Sequence, residues 1–147
     1  MDKPPPHFAL FNEIGIIAQL SRTVMEEELP DGLTAPHFGV LNHLTRVRDG
    51  QTPLALATAF QVPKTTMTHT LGGLEARGLV ELRPNPKDGR SKQVWLTDKG
   101  RAQRLEAVAR VSARMGPFAE AFPAEDVARL LPDLVKIREF LDKARDP

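Results

Sequence analysis

The sequence has no cysteine and no tyrosine among its 147 residues, and a single tryptophan. Without cysteine there is no disulfide framework, no thiol nucleophile and no thiol redox switch. The absence of tyrosine removes a common acid/base group. No run of about 18 apolar residues occurs, so no membrane span is expected. The N-terminal stretch MDKPPPHFALFNE has neither a basic n-region nor a small-residue cleavage site, and reads as a short disordered lead rather than a signal peptide. These absences fit a cytoplasmic protein. The four histidines show neither H-x-x-x-H nor H-E-x-x-H spacing, so no metal and no cofactor is expected. No Ser/His/Asp order, glycine-rich phosphate loop or paired acidic motif can be assembled, which argues against an enzyme.

What is present points to one compact domain with a core, since hydrophobic residues make up 41% of the chain. The net charge is only +1, but it is unevenly placed. Residues 1–61 carry −3, residues 62–104 carry +5 and residues 105–147 carry −1. A basic block between mildly acidic flanks is the footprint of a polyanion binder. Within it, NPKDGRSKQVWLTDKG brings Lys87, Asp88, Arg90 and Lys92 together, one acid among several bases.

Periodicity predicts a helix over Phe8–Leu29, ended by Pro30-Asp31-Gly32, with a broad apolar surface from Leu10, Ile14, Ile17 and Val24, widened by Phe11 and Leu20. Thr34 is a good N-cap for a second helix with Phe38, Leu41 and Leu44 inward. PLALATAF from Pro53 is a short helix, and a helix after Pro63 has Met67, Leu71 and Leu74 on one stripe, with Gly78 as its C-terminal cap. Two short helices with a tight turn suggest a helix-turn-helix. Val80/Leu82 and Val94/Leu96 alternate as two strands, joined by a connection too long for a two-residue turn. Trp95 alternates outward and is expected to pack on the hairpin or a neighbouring helix. Thr97 caps a helix of about 18 residues, with Leu105, Val108, Val111 and Met115 apolar, broken by Gly116-Pro117. A last helix, about Glu125–Ala144, carries Val127, Leu130, Leu134, Ile137 and Leu141, with a kink expected at Pro132.

The stretch LEARGLVELRPNPKDGRSKQVWLTDKG, Leu74 to Gly100, resembles the signature of the MarR family of bacterial winged-helix transcriptional regulators. The matching pieces are LEARGLV, the Asp88-x-Arg90 pair with Ser91, and LTDKG; LTAPHFGVLNHL is loosely similar to the family's second helix. The resemblance follows the element order of the whole chain. It implies a mainly α fold with a small β-hairpin wing. Residues 34–100 would form the winged helix-turn-helix lobe, 1–33 and 117–147 the dimerisation region, and 101–116 the linking helix.

The resemblance also implies a homodimeric regulator, a repressor of a palindromic double-stranded DNA operator, released by a small aromatic or phenolic effector. A cysteine-based peroxide sensor is excluded by composition. Carried over by position, Lys64, Thr65, Thr66, Thr68 and His69 are groove-facing. Arg90 is the wing-tip arginine with Asp88 as its partner, and Lys87 and Lys92 flank it on the phosphates. His37 and Arg46, on the helix that helps to line the family's effector crevice, are candidate polar anchors. The other reading is an architectural or effector-independent winged-helix module that binds DNA or protein.

Four positions depart from the family pattern. His69 stands for a common arginine, Thr70 occupies an apolar site, Gly72-Gly73 replaces an Asp-Arg pair, and Gly89 replaces a second wing arginine. Two interior glycines cost about 1 kcal/mol each relative to alanine, so fraying or bending of the groove helix is expected. Gly89 is expected to allow a positive φ at the wing.

Overall fold

The computed structural model describes residues 2–145. Its element order is α1 (Pro6–Glu28), a 3-10 turn (Pro30–Gly32), α2 (Ala35–Arg46), α3 (Pro53–Phe60), α4 (Lys64–Ala76), β1 (Val80–Asn85), β2 (Asp88–Leu96), α5 (Asp98–Arg114), α6 (Gly116–Ala121) and α7 (Ala124–Arg145). The fold is mainly α with one antiparallel hairpin. The chain forms two compact units that divide between Val111 and Ser112.

The core of the first unit lies where the amphipathic stripes converge. Val40, Leu41 and Leu44 of α2 meet Leu56 of α3, Met67, Leu71 and Leu74 of α4, and Leu79, Val80, Val94 and Leu96 around the hairpin. Each fully buried leucine stabilises by roughly 1.5–3 kcal/mol. The helix boundaries have local causes. Thr52 Oγ1 accepts from the Ala55 N–H at 3.1 Å, with Pro53 in the first turn of α3. Gly78 follows α4 at φ 71°, where the Leu79 N–H reaches the Leu74 carbonyl at 3.0 Å. Thr97 Oγ1 accepts from the Gly100 N–H at 3.0 Å and donates to the Gly78 carbonyl at 2.6 Å, locking the start of α5 to the end of α4.

Several expectations need correction. Helix α1 begins at Pro6, because proline suits a first helical turn, so the lead is shorter than its sequence suggests. The strands run on to Asn85 and back from Asp88, so the connection is the two residues Pro86 and Lys87. The α5 face against the lobe is made of small residues: Gly100 and Ala107 are buried, whereas Leu105 is 62% exposed. A Cβ on Gly100 would lie 2.1 Å from the Leu79 carbonyl oxygen, so close approach selects glycine there. The short helix α6 was not anticipated at all.

Trp95 packs on its own hairpin and the preceding loop. The Arg83 guanidinium lies 5.1 Å from its ring centroid, and the ring covers Gly50. Asp49 holds that loop in place: its Oδ1 accepts from the Leu96 N–H at 3.0 Å and its Oδ2 pairs with Arg101 at 3.2 Å. Neither α1 nor α7 has any buried residue among those described.

Candidate nucleic-acid interface

Helix α4 separates its two faces cleanly. Met67, Thr70, Leu71 and Leu74 are buried, while Lys64, Thr65, Thr66, Thr68 and His69 are exposed. Buried Thr70 is tolerated at its apolar position because its hydroxyl donates to the Thr66 carbonyl at 3.2 Å. The expected fraying at Gly72-Gly73 is not seen, and α4 stays helical to Ala76. Packing explains this at Gly73, where an added Cβ would lie 2.7 Å from His37 Nε2; at Gly72 nothing lies within 4 Å.

The wing is a hairpin with an irregular tip. Asn85 pairs with Asp88, but Pro84 pairs with Lys92, so Gly89, Arg90 and Ser91 are an insertion on the returning strand. Side chains order this insertion. Asn85 Oδ1 accepts from the Lys87 N–H at 3.0 Å, Asn85 Nδ2 donates to Ser91 Oγ at 2.8 Å, and Ser91 Oγ donates to the Asp88 carbonyl at 3.3 Å. Asp88 Oδ1 accepts from the Arg90 backbone N–H at 3.0 Å. Asp88 was expected to hold the Arg90 guanidinium; instead its carboxylate bonds the main chain and shapes the backbone under Arg90. Gly89 does not adopt a positive φ; the positive-φ glycines among the described residues are Gly32, Gly50 and Gly78.

The wing and α4 face each other across an open cleft of about 540 Å³. Lys64 and Thr68 line it from α4, Asp88, Arg90 and Lys92 from the wing, and Thr52, Pro53 and Leu54 from the start of α3. Three cations thus converge on one concave surface with a helix N-terminus at its edge, which suits a phosphate backbone.

The family model described as the MarR family matches residues 31–91, which hold α2 to α4 and the wing tip. The transcriptional regulator BldR from Sulfolobus solfataricus superposes with a TM-score of 0.79 at 28% identity, over 95% of this chain and 99% of its own. Residues 31–91 thus match the MarR family, and the fold of the chain is that of MarR-family regulators. A mutant of Escherichia coli MarR complexed with operator DNA is similar at 29% identity and a TM-score of 0.68, covering 88% of this chain and 93% of its own. CouR from Rhodococcus jostii RHA1, bound to p-coumaroyl-CoA, is similar at 25% identity and a TM-score of 0.67, covering 91% and 90%.

Within this MarR fold the remaining candidates are dispersed. Lys87 lies with Arg48, Gln93 and Trp95 on a separate groove of about 270 Å³. Arg46 is exposed in the last turn of α2. His37 serves the start of α2: its Nδ1 accepts from the Thr34 N–H at 3.2 Å and lies 3.0 Å from Thr34 Oγ1. Burial, then the Arg77 guanidinium and His69, hold the His37 imidazole below its ordinary pKa.

A cavity of about 280 Å³ is lined by Arg22, Pro36, Phe60, Val62, Met67 and Thr70, among others, and includes neither His37 nor Arg46. Sequence reasoning missed Thr52, Asn85 and Arg22. The Thr-Pro pair at 52–53 was a legible capping signal; the others need the fold to meet their partners.

Proposed function

We propose that the protein is a non-enzymatic, sequence-specific transcriptional regulator that binds a near-palindromic operator as a homodimer and acts as a repressor released by a small-molecule effector. The observation that carries this reading is the cleft between α4 and the wing, where Lys64, Arg90 and Lys92 converge beside Thr68. Residues 34–100 act as the DNA-binding lobe. The exposed N-terminal face of α4, with Lys64, Thr65, Thr66, Thr68 and His69, enters the major groove. Arg90 reaches the minor groove from its ordered insertion, where narrow A·T-rich sequence strengthens the negative potential. Lys87 and Lys92 hold phosphates on either side.

The dimer would be built from residues 1–33 and 117–147, with 101–116 linking it to the lobe. The support is apolar surface on each element: Phe11, Ile17 and Leu20 of α1 are 51%, 60% and 63% exposed, and Leu130 and Phe140 of α7 are 56% and 73% exposed. The cavity beside Arg22 is better suited to an effector than His37 or Arg46, because it pairs an apolar lining with one guanidinium and touches α4 directly. The CoA-thioester complex of a relative supports ligand control in this reading.

Selection of bound sites from random duplexes tests the proposal. A near-palindrome with half-site centres about one helical turn apart is expected. A metabolite screen for release of that site then tests the effector, with small aromatic and phenolic anions as the first set. A single half-site bound as tightly as the whole would overturn dimeric docking.

A further inference from the structure

His69 and Gly73 of α4 and Arg77, which caps its C-terminal end, follow one another at intervals of four, so they lie on one side. The ring of His37 sits in the gap that Gly73 leaves, with Nε2 where a Cβ would come within 2.7 Å. Its other nitrogen is committed to the start of α2. The Thr34 backbone N–H can only donate, so Nδ1 must accept, and the neutral ring carries its proton on Nε2, toward α4. One side chain thus completes the N-terminus of α2 and fills a notch in the helix assigned to the major groove.

We propose that His37 is a positioning residue for DNA reading: seated in the Gly73 notch, it sets α4 against the start of α2, and its protonation weakens discrimination between operator and other DNA. The inference rests on the reading that α4 enters the groove. Protonated Nδ1 can no longer accept from Thr34, so the cap is lost. The same proton adds a positive charge beside Arg77, at the C-terminal cap of α4, and His69 within that helix. On the other side of the cap, Glu26 of α1 accepts from the Ala35 N–H at 3.1 Å and pairs with Arg22 at 3.4 Å, so its carboxylate is already engaged. An added positive charge favours any DNA, because it acts on phosphates without regard to sequence. A displaced α4 harms only the operator. Acid therefore erodes the ratio of specific to non-specific affinity.

The lowered pKa of His37 agrees in sign. A ring that folds neutral binds fewer protons than in the unfolded chain. Its contribution is complete above the ordinary value near 6.5 and is lost as pH falls through the lower folded value.

The test is the affinity ratio between the selected palindrome and a random duplex, measured at pH 7.5 and 5.5 and constant salt. His69→Gln serves as the background, with the palindrome selected anew on that variant, so that the second imidazole near His37 is removed. In that background the ratio should fall on acidification, by at most about fivefold, the worth of one helix cap. Adding His37→Gln should flatten the change to less than about twofold, because glutamine at this position accepts from the N-cap N–H without titrating. His37→Ala should give the low ratio at both pH values. Operator binding that is intact but equally pH-sensitive with His37→Gln overturns the inference and leaves the proposed function standing. Failure of the wild-type protein to prefer any palindrome overturns the proposed function, and the inference with it.

Discussion

The winged lobe and the outer helices use the same sequence pattern and end differently. In the lobe, the stripes of α2 and α4 are covered: Leu41, Leu44, Leu71 and Leu74 are all at most 2% exposed. In α1 and α7 the stripes are equally regular, yet no described residue of either helix is buried. A stripe therefore says that a face will be covered, without saying by which chain. The lobe satisfies its apolar surface from within; α1 and α7 do not, and under the proposed function a second copy covers theirs.

The largest effect expected from this contrast is on assembly. The wild-type protein should sediment as a dimer at low micromolar concentration, and Leu20→Glu in α1 should cost about 4 kcal/mol or more by burying an unpaired charge at the interface. A variant that sediments as the wild type does would place the dimer contact elsewhere. A well-folded wild-type monomer would remove the contrast altogether.

Next comes the covered side. Leu44→Ala should destabilise by roughly 2–5 kcal/mol, read by denaturant unfolding of the dimer. Its effect should appear as lost stability rather than lost association, since Leu44 is 2% exposed inside the lobe. If Leu44→Ala dissociates the dimer while its stability holds, the two regions are not separable as described.

The wing gives a smaller and more selective effect. Arg90→Ala removes an exposed side chain, so stability should change by about 0–1 kcal/mol while operator affinity falls about tenfold or more. Asp88→Ala is the sharper test. Charge counting predicts tighter binding, whereas loss of the hydrogen bond to the Arg90 N–H predicts binding about fivefold weaker, the worth of one such bond. Tighter binding in a filter or mobility-shift titration would show that the acid does not organise the wing.

Smallest is Lys64→Ala at the start of α4. It should weaken all sequences alike and reduce the slope of log affinity against log salt by about 1. A change in the ranking of sites would mean that Lys64 reads bases.

Much of this was legible along the chain. The Met67/Leu71/Leu74 stripe located the buried face of α4, so its exposed residues followed by elimination. Thr34, Thr97 and Gly78 marked helix ends because capping is local chemistry within a few residues. Three things were not legible. The wing looked like a long loop because its bulge leaves Gly89, Arg90 and Ser91 out of alternation, hiding that Asn85 and Asp88 face each other. The α5 face was not legible because hydrophobicity favours Leu105, whereas the buried residues are Ala107 and Gly100, the latter selected by close packing on Leu79. His37 looked like a ligand anchor because a histidine's partners, here Thr34 beside it and Gly73 far along the chain, cannot be read from its own position.

Local order, the basic block and the family signature were thus determined by the sequence alone, because caps, periodicity and charge act over a few neighbouring residues. Tertiary structure decided which cations converge. Lys64 on α4 and Arg90 and Lys92 on the wing lie more than 20 positions apart in the chain, and only the hairpin's return beside α4 and α3 brings them to one cleft. It also decided what Asp88 does. The acid could have held the guanidinium or the backbone of Arg90, and the three-residue insertion sets its carboxylate against the N–H.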